Sequence, residues 1–167
     1  MFIGLIKYFT TLQDTSSSMP SLFNIVERQN IIQRLLQLKP DAERQWGKME
    51  LVQMIRHCQA PLKVAVGELV LNQGLIGLLF GKMAKRKLLA AAPFKANLPT
   101  APEFKVVDTQ LDLEAERAKL ISLITRFGET GPVPNRNKHP FFGAMTEAEW
   151  DALQWKHLDH HLRQFNV

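Results

Sequence analysis

The sequence has one cysteine, Cys58, which excludes an intrachain disulfide and suits a reducing compartment; cytoplasm is the expected location. Long apolar runs are also missing. The run at residues 2–6 is broken by Lys7, and the strongly apolar turn formed by Leu75, Ile76, Leu78, Leu79 and Phe80 gives way to Lys82. Both fall far short of the roughly 18 residues of a membrane-spanning helix, so no transmembrane segment is expected. No basic segment precedes the first run and no small-residue cleavage site follows it, which argues against a secretory signal. Internal repeats and low-complexity tracts are absent. Acidic residues are scarce in one place: residues 82–105 hold six Lys/Arg against Glu103 alone, a surplus equal to the whole net charge of +5. The basic character is local.

What remains is a chain of 167 residues, 46% hydrophobic and 22% charged, enough for one packed core and too small for two comfortable domains. Residues 1–18 read as a loosely attached leader, or as an early start with Met19 the true first residue; residues 19–167 form the expected domain. Ser21 is placed to cap a first helix through Leu22, Ile25, Val26, Ile32, Leu35 and Leu36, stopped by Lys39 and Pro40. A second helix is expected over residues 49–71, with Leu51, Met54, Cys58, Leu62, Ala65 and Leu69 on one side. His57 lies on its adjoining edge, and Pro61, four residues on, removes the amide that would bond the His57 carbonyl. A shorter basic helix follows within residues 74–92, then a connection carrying Pro93, Pro99 and Pro102. Leu111, Leu113, Leu120, Ile121, Leu123, Ile124 and Phe127 support another amphipathic helix, with Gly128 as its stop. A second loop, residues 131–143, brings His139 ahead of the final helix. The expected architecture is all-α, an up-and-down four-helix bundle with an extra short helix and two long loops.

Residues 146–165 carry the chemistry. Thr146 and Glu149 have the spacing of a capping box, which sets the helix start. From there, about 100° per residue puts Trp150, Leu153, Trp155, His157, Leu158, His161, Leu162 and Phe165 on one broad arc. Ala152, Lys156, Asp159 and Arg163 fall opposite, with His160 nearer the polar edge. Imidazoles four residues apart sit roughly 5–6 Å apart at Cβ and can converge on one cation. Such pairs also occur on ordinary helices. His57, on a facing helix, would make a third ligand, and three protein ligands with an open position is the pattern of a catalytic rather than a structural metal.

Trp46, Gly47, Lys48 and Met49 with Met54 and His57; Pro93, Phe94 and Lys95 with Pro99 and Pro102; and His139, Pro140, Phe141, Phe142 and Gly143 with Trp150, His157, His161 and Gln164 together resemble the DinB-like superfamily, in particular an uncharacterised bacterial branch of it. The similarity covers roughly residues 21–167. It implies a four-helix bundle with a three-histidine divalent metal site whose ligands are His57, His157 and His161. Characterised relatives include thiol-dependent S-transferases and a maleylpyruvate isomerase that uses low-molecular-weight thiols, and members are often dimeric. The superfamily name refers to DNA-damage induction and does not imply DNA binding; no nucleic-acid partner is expected.

Two function classes stay open. One is an enzyme whose metal (Zn, Ni or Fe, since imidazoles suit all of them) activates a thiol or water toward a small-molecule substrate, with Lys82, Lys85, Arg86 and Lys87 receiving an anionic thiol. The other is a non-catalytic metal-binding or partner-binding bundle. Gln53 and Gln164 are candidates to orient the ligating rings, His139 and His160 are candidate pocket residues, and Cys58 reads as a small core residue.

Overall fold

The structure, a computed structural model, describes residues 19–88, 90, 92–133 and 138–167. The expected leader and residues 134–137 of the second loop lie outside them. The described residues form five α-helices and no strand: α1 Ile25–Gln37, α2 Leu51–Ala65, α3 Leu75–Leu88, α4 Leu113–Thr130 and α5 Glu147–Gln164, with a 3-10 turn at Pro102–Phe104 before α4.

Local chemistry sets most helix ends, and in three places differs from the sequence expectation. α1 is capped by Asn24, whose side chain accepts from the amides of Val26 and Glu27 at 2.9 and 3.2 Å. Ser21 instead uses its hydroxyl on the Phe23 amide at 3.1 Å. That turn carries Leu22 into the core ahead of the helix. α2 opens on a capping box of Glu50 and Gln53 and closes at Ala65 rather than near Leu71, with Gly67 following at φ +80°. Pro61 lies inside α2, and the helix continues through it. α4 runs past Gly128 to Thr130 and ends at Gly131, φ +69°. Gly128 serves a close approach: a Cβ there would stand 2.6 Å from the Leu22 carbonyl and against the Arg28 guanidinium.

α2 packs on α4 and α5, and α1 packs on the same two. Between them lie Ile31, Leu35, Met54, Ile55, Leu62, Leu120, Ile124, Phe127, Leu158 and Leu162, all buried. Each such side chain contributes about 1.5–3 kcal/mol of transfer free energy, which is what holds helices of modest propensity in place. Polar ties add register. Glu116 on α4 is buried; burial alone would raise its pKa, but hydrogen bonds from Lys119, Gln59 and Arg56 outweigh it and hold the carboxyl down at about 2.

α5 departs furthest from expectation. Part of the arc opposite the histidines is covered: Ala152 and Lys156 are buried while Asp159 and Arg163 are half-buried, and the neighbouring Asp151 is buried, its carboxylate accepting from the Leu22 amide at 2.7 Å. Lys156 donates to the Ala90 carbonyl and lies 5.4 Å from the centre of the Phe94 ring. The chain between α3 and α4 thus wraps the face of α5 that a two-sided helix would leave wet.

Candidate metal centre

His57 projects from the middle of α2, where Met54, Cys58, Pro61 and Leu62 bury the surrounding turns. Its Nδ1–H donates to the Phe104 carbonyl at 2.8 Å, in the 3-10 turn that Pro102 begins. A proton on Nδ1 leaves the Nε2 lone pair free. His157 and His161 project from α5, whose start is fixed by the capping box of Thr146 and Glu149 that the sequence spacing predicts. His161 donates from Nδ1 to the Gln164 side-chain oxygen at 2.8 Å, again presenting Nε2. Gln164 is itself held, its amide nitrogen donating to the Trp46 carbonyl at 2.7 Å. Gly47 permits this approach: at φ +80°, a Cβ would stand 2.7 Å from the Gln164 nitrogen.

The three rings meet. Centroids lie 4.9 Å apart for His57 and His157, 4.9 Å for His57 and His161, and 4.7 Å for His157 and His161. One nitrogen from each falls within 4.8 Å of the other two, a group that could hold a metal ion. His57 and His161 are buried; His157 is half-buried.

Burial keeps the rings neutral, the form that ligates. Desolvation lowers the His57 pKa against its bond to Phe104, holds His161 at about 3 with the His57 ring adding to the effect, and takes His157 well below 6.5, with His161 and His57 as the nearest contributing rings. The donor set then has a gap that a cation fits. His157 Nε2 is 3.0 Å from His57 Nε2, while the buried His157 Nδ1 has no hydrogen-bond partner. With the His157 proton on Nδ1, that N–H is unsatisfied and two lone pairs face each other. With the proton on Nε2, it can donate to His57, but the Nδ1 lone pair is stranded. A cation shared by the Nε2 atoms removes the lone-pair repulsion of the first arrangement.

The other candidates are placed differently. Gln53 does not reach the rings: its oxygen accepts from the Glu50 amide at 3.0 Å and its nitrogen donates to the Asp108 carbonyl at 3.4 Å, because the start of α2 claims it. His139 is buried beside Phe142, Trp150 and Phe104; its Nδ1 accepts from the Phe141 and Phe142 amides at 3.1 Å, and burial lowers its pKa to about 4. His160, expected near the polar edge, is buried between Trp46 and Phe94, with its ring centre 5.0 Å from that of His161. Lys85 is spent on Glu149 and the Ala144 carbonyl, both at 3.0 Å, so it ties α3 to the start of α5; Lys82, Arg86 and Lys87 are exposed. Cys58 is buried against Met54, and burial pushes its thiol pKa up, as for an inert core residue. Sequence reading missed the Phe104 and Trp46 carbonyls. A backbone acceptor has no residue signature, and only Gly47 and Pro102 hinted at constrained chain there.

Residues 18–167 match the family described as a protein of unknown function, DUF1569. The chain belongs to that family. None of the curated proteins and none of the solved structures compared with it matches. Among the described residues no helix of this family member is long and apolar enough to cross a membrane.

Proposed function

We propose that His57, His157 and His161 bind one divalent metal ion, that residues 19–167 form a single DinB-like four-helix bundle of α1, α2, α4 and α5 with α3 added, and that the protein is a metal-dependent enzyme acting on a small molecule with water or a low-molecular-weight thiol. The observation that carries this reading is the convergence of three neutral imidazoles from two helices, two of them locked in the ligating tautomer by Phe104 and Gln164. Zinc, nickel and iron all suit three imidazoles. When bound, a divalent ion at three protein donors supplies Lewis acidity and lowers the pKa of a water or thiol in its remaining position.

The chain's own part is orientation and exclusion. Phe104 and the Gln164–Trp46 pair fix the rings of His57 and His161, and the apolar surround limits water. Cys58, protonated and buried, is not the nucleophile. The low exposure of two of the three rings also favours a second reading, in which the metal staples α2 to α5 without turnover. Elemental analysis of freshly purified protein, followed by thiol-transfer and hydrolysis screens of the metal-loaded and chelated forms, separates them. One equivalent of metal with chelator-sensitive turnover is expected. Unfolding on chelation with no turnover would favour the staple, and absence of metal from protein purified without chelator, together with failure to take up zinc, nickel or iron, would remove the centre altogether.

A further inference from the structure

Small residues of α3 lie against the rest of the chain while some of its largest apolar residues do not. Two of its glycines lie against the rest of the chain: a Cβ on Gly77 would stand 2.7 Å from the Phe141 carbonyl and 2.8 Å from that of Pro140, and one on Gly81 would overlap the Phe141 carbonyl. They are clamped on the turn at residues 140–142, and the Gly74 amide donates to the Pro140 carbonyl at 3.2 Å. Three large apolar side chains of α3 are exposed instead, Leu79 at 75%, Met83 at 58% and Phe80 at 52%. At about 100° per residue, Leu79 and Met83 form the centre of the outer arc, flanked by Lys82 and Arg86 on one side and by Phe80 and Lys87 on the other. Those three cations are exposed and make no ion pair among the described residues.

An apolar stripe bordered by unpaired cations is the pattern of a helix that lies in the plane of an anionic bilayer surface. Alternative occupants fit worse. A second copy would bring two sets of Lys82, Arg86 and Lys87 together, and a nucleic acid would pair with the cations while leaving Leu79, Phe80 and Met83 in water. We infer that α3 docks the protein on anionic lipid surfaces, inserting Leu79, Phe80 and Met83 among the acyl chains while Lys82, Arg86 and Lys87 meet lipid phosphates. This is independent of the metal reading.

The test is co-sedimentation of the full chain with phosphatidylcholine vesicles, with and without phosphatidylglycerol, over a range of salt. Binding is expected only with phosphatidylglycerol and should fall as salt rises. The triple change Lys82→Gln, Arg86→Gln and Lys87→Gln should weaken it roughly 100-fold, about fivefold per cation. Leu79→Gln with Met83→Gln should weaken it about tenfold or more. Both variants should keep wild-type helicity and metal content, since these side chains are exposed; the salt dependence of the unaltered chain tests the idea even if a variant misfolds. Equal binding to neutral vesicles overturns the proposal, as does binding that neither variant weakens, which would assign it to the apolar run at residues 2–6. Absence of vesicle binding with self-association lost in Leu79→Gln/Met83→Gln would make the face a contact between copies, and binding to heparin unaffected by that pair would make it a general polyanion surface; either sinks it.

Discussion

α3 and α5 both mix apolar and basic or imidazole side chains on a single helix, yet the fold uses them in opposite ways. α5 is covered over most of its middle and end. Many of its polar groups are buried, and most of these find partners: Asp151 with the Leu22 amide, His161 with Gln164, Gln154 with the Pro61 carbonyl at 3.2 Å. α3 lays Gly77 and Gly81 on the turn at residues 140–142, ties Lys85 to Glu149 and leaves Leu79, Phe80 and Met83 in water. The difference teaches that amphipathic periodicity says a helix has two faces without saying which is inside. Burial makes a polar group costly unless paired, which is the ground for proposing a site on α5; exposure makes large apolar groups costly unless covered, which is the ground for proposing a docking surface on α3.

The strongest way to break the comparison is to remove single rings from α5 and α2. His57→Ala, His157→Ala and His161→Ala should each abolish stoichiometric metal while circular dichroism stays helical, and His139→Ala and His160→Ala should retain it. Should His160→Ala empty the site while His161→Ala does not, the ligand assignment is wrong. Gln164→Ala, which frees His161 to rotate, should weaken metal affinity by about 10–100-fold in a competition titration against a chelating dye. An unchanged affinity would mean that packing alone holds the ring.

Gly128→Ala probes the same contrast in the core. Its Cβ meets the Leu22 carbonyl and Arg28 where α1 crosses α4, so a loss of about 1–3 kcal/mol is expected from chemical denaturation, whereas alanine at the exposed Arg86 should stay within about 0.5 kcal/mol. Acid sharpens it further. His161 and His139 titrate near 3 and 4 when folded but near 6.5 when unfolded, so between those values the unfolded chain binds more protons. Stability of the metal-free protein should therefore be full above about pH 6.5 and fall as pH drops toward 4 and 3. His139→Phe should flatten part of that slope; a pH-independent unfolding midpoint over this range would show that these rings are not buried neutral. The smallest effect belongs to Lys85→Ala, which loses an ion pair with Glu149 at the α3–α5 junction; about 0–1 kcal/mol is expected in the same denaturation assay.

Much of this was readable from residues alone. The helix count, the Thr146–Glu149 capping box, the stop before Pro40 and the shared arc of His157 and His161 all follow from periodicity and local hydrogen bonding, which act within a few residues and so leave a signature in sequence. Other features could not be read that way. Gln53 and Gln164 each lie within one turn of a candidate ligand, but one caps α2 and the other orients His161, because the decision rests on which distant backbone atoms, Asp108 or Trp46, come within reach. Gly128 reads as a helix stop until Arg28 and Leu22 are placed against it, and Lys156 reads only as part of the arc opposite the histidines until the chain carrying Ala90 and Phe94 covers it. Sequence determined which segments are helical and which faces could carry chemistry. Only tertiary packing decided which of those faces lost their water, because desolvation depends on everything that surrounds a side chain and not on its neighbours in the chain.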